Sequence, residues 1–257
     1  MKPRNTLIAF SLKYKGDWDA IMKALCDRES PEKEYLDQVE KLKCNTTTML
    51  DLDYPQQLKA IRKAPFVLYY YGDLSLIQDY HKNVSVVGSR DYSEYGKRKT
   101  EEIVDGLSRN GFTIVSGMAI GIDTIAHQQA INSKGKTVAI LGSGIDYCYP
   151  SSNIHLYERL KRHHLVMSEY PGNMEPLPYY FPIRNRIIAA LSKTLVVTEA
   201  KYNSGSLITA TLASKGNSDV MCVPYEADKE SECNRLIKNG AFLVENVEDI
   251  LEQMSAF

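Results

Sequence analysis

The chain has 257 residues, of which 44% are hydrophobic and 25% charged, and its formal net charge is −1. These values are typical of a globular protein and exclude a broadly basic surface, so a nucleic-acid partner would need a local patch. No apolar run reaches membrane-spanning length, and the first ten residues are too polar for a secretion signal. The five cysteines are scattered and odd in number. We therefore expect a cytoplasmic protein with free thiols, no metal site, no cofactor and no membrane partner.

Residues 1–60 are predicted to form a small helical domain. Hydrophobic spacing typical of helices occurs near residues 5–14, 17–28 and 32–42. The pattern changes at PFVLYYYG (65–72), which predicts a strand that ends at Gly72. We therefore predict a domain boundary near residue 60 and a second domain over residues 61–257.

From residue 83 onward, short apolar segments alternate with helical ones. Strands are predicted at 85–88, 112–117, 137–142, 164–170, 194–200 and 219–224. Helices are predicted at 93–110, 121–133, 153–162, 206–216 and 231–239, with one more starting at Pro182. Strands that are apolar throughout and alternate with helices indicate a parallel sheet covered on both faces. The predicted fold is α/β, an extended Rossmann-like doubly wound sheet that is mainly parallel.

Polar or glycine-rich loops follow several of these strands: GSR (88–90), SGMAIGID (116–123), LGSGID (141–146) and EAKYNSGS (199–206). Doubly wound sheets bind ligands at the carboxyl ends of their strands, and helix N-termini there offer unpaired N–H groups to anions. The loops therefore predict a phosphate-binding surface. Its candidate residues are Gly88, Ser89, Arg90, Ser116, Gly117, Gly121, Ser204, Gly205 and Ser206.

The segment YYFPIRNR (179–186) predicts a helix that begins with two cations, Arg184 and Arg186. Cations are unfavourable at the positive end of the helix dipole unless an anion lies there. That anion could be a ligand, or it could be a nearby carboxylate such as Glu169 or Glu199. Aromatic faces beside cations are typical of single-strand binding, and Phe181 is the best stacking candidate because it adjoins the arginines.

Familiar catalytic signatures do not match this sequence. No G-x-G-x-x-G follows strand 85–88, and neither a Walker loop nor a nucleophile elbow occurs. Asp123 and His127 could form an acid–base or metal pair, but a His–carboxylate hydrogen bond inside a helix is the commoner arrangement. Glu199 could act on a bound ribose or could pair with Arg184 or Arg186. We predict no catalytic residues and a protein that is not an enzyme.

The motifs VVGSR (86–90), SGMAIGIDTIAH (116–127), FPIRNRIIAALS (181–192) and VTEAKYNSGSLITATLA (197–213) resemble those of the DNA-processing protein A (DprA/Smf) family. The resemblance implies a homodimer that binds single-stranded DNA through its Rossmann-like domain. It also implies that the protein protects incoming DNA and helps to load RecA during natural transformation of competent cells. By motif match, Arg90 and the RNR triplet of Arg184, Asn185 and Arg186 would contact the DNA.

An alternative is a nucleotide-binding or nucleotide-hydrolysing enzyme with a similar sheet. One such group carries a PGG-x-GT-x-x-E motif, and the nearest segment here, YPGNMEP (170–176), does not match it. A small-nucleotide sensor that uses the same loops also remains open. We rank the DNA-binding recombination mediator first.

Overall fold

Apolar strands alternate with amphipathic helices along most of the chain, and they assemble into one sheet with helices on both faces. The computed structural model describes residues 2–202, 204–216, 218–227, 229 and 231–255. The strands are β1 (Asn45–Thr48), β2 (Val67–Gly72), β3 (Asn83–Gly88), β4 (Thr113–Ser116), β5 (Lys136–Ile140), β6 (Leu165–Ser168), β7 (Thr194–Glu199), β8 (Asp219–Cys222) and β9 (Phe242–Leu243). The helices are α1 (Pro3–Lys13), α2 (Trp18–Cys26), α3 (Lys33–Val39), α4 (Gln56–Lys59), α5 (Glu94–Arg109), α6 (Ile122–Asn132), α7 (Ile154–His163), α8 (Tyr180–Ala190), α9 (Gly205–Lys215), α10 (Glu232–Lys238) and α11 (Val247–Ser255).

The sheet has the strand order β1-β2-β6-β5-β4-β3-β7-β8-β9. The strands from β6 to β9 in this order are parallel, whereas β2 runs antiparallel to both β6 and β1. From β3 the chain moves outward through β4, β5 and β6, and it then returns to place β7 beside β3. The strand order therefore reverses between β3 and β7, which is where doubly wound sheets bind ligands. The predicted fold, mainly parallel and Rossmann-like, is confirmed.

Both faces of the sheet are covered by apolar packing. On one face, Ile187 and Ile188 of α8 belong to the same buried cluster as Val197 of β7. On the other face, Ile103 of α5 and Ala126 of α6 belong to a cluster with strand residues such as Val86. This double cover explains why apolar residues occur at consecutive positions of the central strands, as in Val86-Val87 of β3 and Ile114-Val115 of β4, rather than only at every second one.

The region before residue 60 contains a strand that sequence reasoning missed. The three predicted helices are present as α1, α2 and α3, but β1 also pairs with β2, with Thr47 opposite Leu68. Three consecutive threonines (46–48) are β-branched and favour an extended backbone. An all-helical composition for residues 1–60 is therefore wrong at β1, while the boundary near residue 60 stays a prediction.

Two short elements at the end of the described chain were also not predicted, the strand β9 and the helix α11. Strand β9 has only two residues, too few to show a hydrophobic period. Helix α11 packs through Ile250 against the cluster that also contains residues of α5. Within the described ranges, no helix combines the length and apolar character that crossing a membrane requires.

Candidate nucleic-acid interface

The loops that follow β3 and β4 are held against each other at the carboxyl edge of the sheet. The Ile122 N–H donates to the Ser89 carbonyl oxygen at 3.1 Å. Gly121 precedes α6 with φ of +85°, and a Cβ there would collide with the carbonyl oxygens of Ser89 and Arg90. Only glycine fits this combination of positive φ and close approach. The contact leaves the Arg90 side chain exposed to solvent.

Arg184 is buried behind these loops. Its Nη1 donates to the carbonyl oxygen of Gly117 at 2.6 Å and to that of Ile140, and its Nε donates to Asn185 Oδ1 at 3.1 Å. Burial lowers the pKa of Arg184 to about 10, although the carboxylate of Asp123 opposes this shift. Burial likewise raises the pKa of Asp123, and the Arg184 charge opposes that rise. Arg184 thus connects the carboxyl ends of β4 and β5, and Asp123 is its acidic neighbour.

An aromatic and cationic surface lies in front of Arg184. The Arg90 guanidinium carbon is 5.5 Å from the Phe181 ring centroid, and that of Arg184 is 6.0 Å from it. The Tyr149 ring lies 5.6 Å from the Phe181 ring, tilted by 45°. The depression that Arg90, Tyr149 and Phe181 line has a volume of about 50 Å³, which is far below the roughly 300–1,000 Å³ of small-molecule sites, so it does not enclose a whole ligand. Sequence reasoning missed Tyr149, whose position just after the glycine-rich loop 141–146 was the available signal.

The loop before α9 joins this surface through Asn185. The Asn185 Nδ2 donates to the Gly205 carbonyl oxygen at 3.3 Å, and the hydroxyls of Ser204 and Ser206 are 2.7 Å apart. We call the resulting surface the rim. Its members share the carboxyl edge of the sheet: Ser89, Arg90, Gly117, Gly121, Tyr149, Phe181, Ser204, Gly205 and Ser206.

Five predicted site residues are not part of the rim: the buried Arg184 and Asn185 described above, and Ser116, Gly88 and Arg186. Ser116 is buried and donates its hydroxyl to the Val86 carbonyl oxygen at 2.7 Å. Gly88 lies at a bulge where β3 pairs with β7 opposite Glu199. Arg186 instead extends to Glu169, where its Nη2 donates to both carboxylate oxygens at 2.7 Å. For Arg186, the interpretation that a carboxylate pairs with the helix-start cation is therefore confirmed.

Of the two alternatives for Glu199, pairing with Arg184 or Arg186 is wrong. Its carboxylate accepts hydrogen bonds from the Ser93 N–H at 3.0 Å and the Ser93 hydroxyl at 2.8 Å. Ser93 precedes α5 and accepts from the Gly96 N–H with its own hydroxyl. Glu199 therefore lies at the N-terminus of α5, across the β3–β7 junction, rather than at the start of α8.

The predicted hydrogen bond between Asp123 and His127 is also wrong. The His127 Nδ1 instead lies 2.7 Å from the hydroxyl of Thr137, which belongs to the neighbouring strand β5. Burial lowers the pKa of His127 to about 3, so the ring is neutral at physiological pH. Within the described part of the chain, no group of three or more His, Cys, Asp or Glu side chains is placed to hold a metal ion.

Comparison with known proteins identifies the family. The model of the family described as DNA recombination-mediator protein A matches residues 45–255. The chain belongs to this family. It is 43% identical to the DNA processing protein DprA of Streptococcus pneumoniae over 208 residues, which cover 80% of this chain and 73% of the relative. It is 39% identical to the protein Smf of Synechocystis over 87% of this chain, but that match covers only 57% of the relative.

Solved structures of this recombination-mediator family share the fold. The X-ray structure of the S. pneumoniae DprA matches with a TM-score of 0.81 and 37% identity over 96% of this chain and 92% of that chain. A DprA structure from Helicobacter pylori, described by its single-stranded DNA binding mode, matches with a TM-score of 0.75 and 27% identity. That match covers 83% of this chain and 97% of the H. pylori chain. The family resemblance expected from the motifs is thereby confirmed.

Proposed function

We propose that this recombination mediator binds single-stranded DNA along the rim and does so as a homodimer in the cytoplasm. The observation that carries the proposal is the exposed Arg90 guanidinium beside the Phe181 ring, at the ligand-binding edge of the sheet. In this role the protein protects incoming DNA and helps to load RecA during natural transformation. The H. pylori relative described as binding single-stranded DNA supports the assignment.

The rim offers the groups that a single strand requires. Arg90 pairs with a backbone phosphate, while the glycine-rich loops allow the backbone to approach the protein closely. Phe181 and Tyr149 offer ring faces to unpaired bases, and a duplex hides those base faces inside its own stack. In this proposal Arg184 is a positioning residue, because the residue is only 4% exposed and its guanidinium donates to backbone carbonyls.

The proposal is tested by fluorescence anisotropy with single-stranded and duplex oligonucleotides over a series of salt concentrations. We expect tighter binding to the single strand, with a log–log salt slope that steepens by about 0.7 for each neutralised phosphate. Equal affinity for duplex, or affinity independent of salt, would contradict the proposal.

We propose further that the protein has no nucleotide turnover. A catalyst needs a nucleophile or an acid–base pair within reach of the substrate, and Glu199 is instead engaged with Ser93. The test is incubation with AMP, GMP and their triphosphates, followed by detection of released base or phosphate. Turnover that Glu199→Gln abolishes would place the protein among nucleotide-handling enzymes.

The proposed partners are tested separately from DNA binding. Light scattering of the purified protein at micromolar concentration should give the mass of two chains, and a single-chain mass removes the homodimer. RecA filament assembly on DNA coated with a single-strand-binding protein should accelerate when the protein is added. If the protein binds DNA but does not accelerate RecA assembly, the loading role is contradicted and the DNA-binding role is not.

A further inference from the structure

A second concave surface lies beside α8 on the side away from the rim. The loop between α1 and α2 and the segment after α4 form one wall, and α8 and α9 form the other. We call this cavity the groove, and its volume is about 1000 Å³. Small-molecule sites have volumes of roughly 300–1,000 Å³, so the groove is large enough for a ligand with a ring system.

The ion pair between Arg186 and Glu169 lies at the groove wall. Glu169 contacts only the Nη2 of this guanidinium, and in the described part of the chain Nε and Nη1 are buried without a hydrogen-bond partner. Buried N–H donors are normally paired with protein, water or ligand. Because neither nitrogen reaches the surface of the groove, a group bound there cannot pair them, and the ion pair forms part of the groove wall.

Aromatic rings line the same groove. The rings of Tyr170 and Tyr180 are stacked with centroids 4.0 Å apart, and Tyr179 packs edge-on against Tyr180 at 4.7 Å. Tyr179 remains 58% exposed. On the opposite wall lies Trp18, the only tryptophan of the chain. Because the Trp18 ring is itself stacked on Phe66 at 5.3 Å, the exposed ring of Tyr179 is the one that suits a planar ring, which stacks, rather than a flexible aliphatic chain.

The charges around the groove favour an anion. Of its acids, Asp19 pairs with Lys63 at 2.6 Å, and Asp17 caps α2 by accepting from the Ala20 N–H at 2.8 Å. Three further cations line the groove, and each is exposed and has no ion pair among the described residues: Lys15, Arg62 and Lys215. The uncompensated charge at the groove is thus positive, as a phosphate group requires.

We propose that the groove binds a nucleotide, with the base against the exposed ring of Tyr179 and the phosphate near Arg62 and Lys215. The ligand is either a free mononucleotide or one nucleotide unit of a single-stranded DNA that continues past the rim. The site is separate from the rim, because Arg184 and Arg186 are two positions apart on α8 and therefore point about 200° apart.

Calorimetric titration of the whole chain with thymidine monophosphate tests the site, and the fluorescence of Trp18 reports where binding occurs. We expect saturable binding with a change in fluorescence, and about tenfold weaker binding of both thymidine and inorganic phosphate, because each lacks one half of the recognised chemistry. The double variant Arg62→Ala, Lys215→Ala should bind about tenfold more weakly. Arg162→Ala, an exposed cation on α7, is the matched control and should bind like the wild type.

The outcomes separate this site from the rim. If Arg90→Ala weakens oligothymidine binding but not mononucleotide binding, the groove and the rim are independent, as proposed. If only oligothymidine binds, and the groove double variant weakens that binding, DNA is the source of the nucleotide. The proposal is overturned if neither ligand changes heat or fluorescence up to about 1 mM, since weaker binding is not specific recognition. It is also overturned if the double variant binds as the wild type does, or if Arg90→Ala abolishes mononucleotide binding.

Discussion

The rim and the groove lie on the two sides of α8, and each depends on one arginine of the same Arg-Asn-Arg triplet. Arg184 donates to the carbonyl oxygens of Gly117 and Ile140 and thereby supports the rim from behind. Arg186 pairs with Glu169 and thereby forms part of the groove wall. Residues two apart on a helix do not face the same neighbours, so one basic motif serves two different environments. A cation in a motif is therefore not by itself a ligand contact.

Loss of stability distinguishes an arginine that holds the fold together from one that contacts a ligand. We expect the largest loss for Arg184→Ala. The substitution leaves Asp123 buried without its cation and two carbonyl groups without a donor, so the free energy of unfolding should fall by about 3–5 kcal/mol. Urea denaturation measures this loss. The exposed Arg90→Ala is the matched control and should change stability by no more than about 0.5 kcal/mol. If Arg184→Ala is as stable as Arg90→Ala, Arg184 does not support the rim.

Lowering the pH should reduce the free energy of unfolding through His127, which lies in α6 behind the rim. The pKa of this ring is lowered by burial from 6.5 to about 3, so its contribution to stability is complete above pH 6.5 and is lost as pH falls toward 3. Between pH 7 and pH 5 the loss should be about 2 kcal/mol. Over that range, denaturation of His127→Gln should show a shallower pH dependence than the wild type. An identical slope in both proteins would show that His127 titrates in the folded state as it does unfolded.

Two buried carboxyl groups change the free energy of unfolding in the opposite direction to His127 as the pH falls. Burial raises the pKa of Asp123 and, near Arg186, that of Glu169. Protonation of a buried carboxyl with a raised pKa becomes favourable in the folded state, so these groups recover stability as pH falls through their folded pKa values. Comparing slopes between the variant and the wild type cancels this contribution, because both proteins retain the two carboxyls.

Phe181→Leu tests whether the rim and the groove bind different ligands. Stacking on an aromatic ring contributes about 1–3 kcal/mol per base, so affinity for single-stranded DNA should fall roughly tenfold while the fold is retained. Tyr179→Leu, two positions earlier and on the groove side, is the matched variant. It should leave rim binding of a short oligonucleotide unchanged and weaken thymidine monophosphate. Anisotropy and calorimetry on the same samples measure both, and the reverse pattern would exchange the roles of the two surfaces.

Arg90→Ala should have the smallest effect. It removes one phosphate contact, so affinity for single-stranded DNA should drop only a few-fold at moderate salt and the log–log salt slope should decrease by about 0.7. Loss of affinity without a change in slope would mean that Arg90 acts through Phe181 rather than through a phosphate.

The sequence predicted the parallel sheet and the edge at which its loops meet, because apolar strands and glycine-rich turns are local signals. It did not predict the partner of each arginine. Glu169 directly follows β6, well before α8 begins in the chain, and only the assembled sheet shows that it lies beside Arg186. The groove was equally hidden, because its walls come from segments as far apart as Trp18 and Lys215. Strand β1 was a missed signal rather than a hidden one, since its threonines are visible in the sequence.

The carboxylate of Glu199 at the start of α5 has a consequence for what the sheet can hold. In a doubly wound fold, the N-terminus of the helix after the first central strand is the usual position of a dinucleotide pyrophosphate. Here an internal anion occupies that position, and a side chain on Gly96 would collide with it. A pyrophosphate arriving at α5 would meet a negative charge of the protein itself. The fold thus disfavours a pyrophosphate at the start of α5, while Arg90 and the loops after β4, β5 and β7 leave the rest of the rim open to a phosphate.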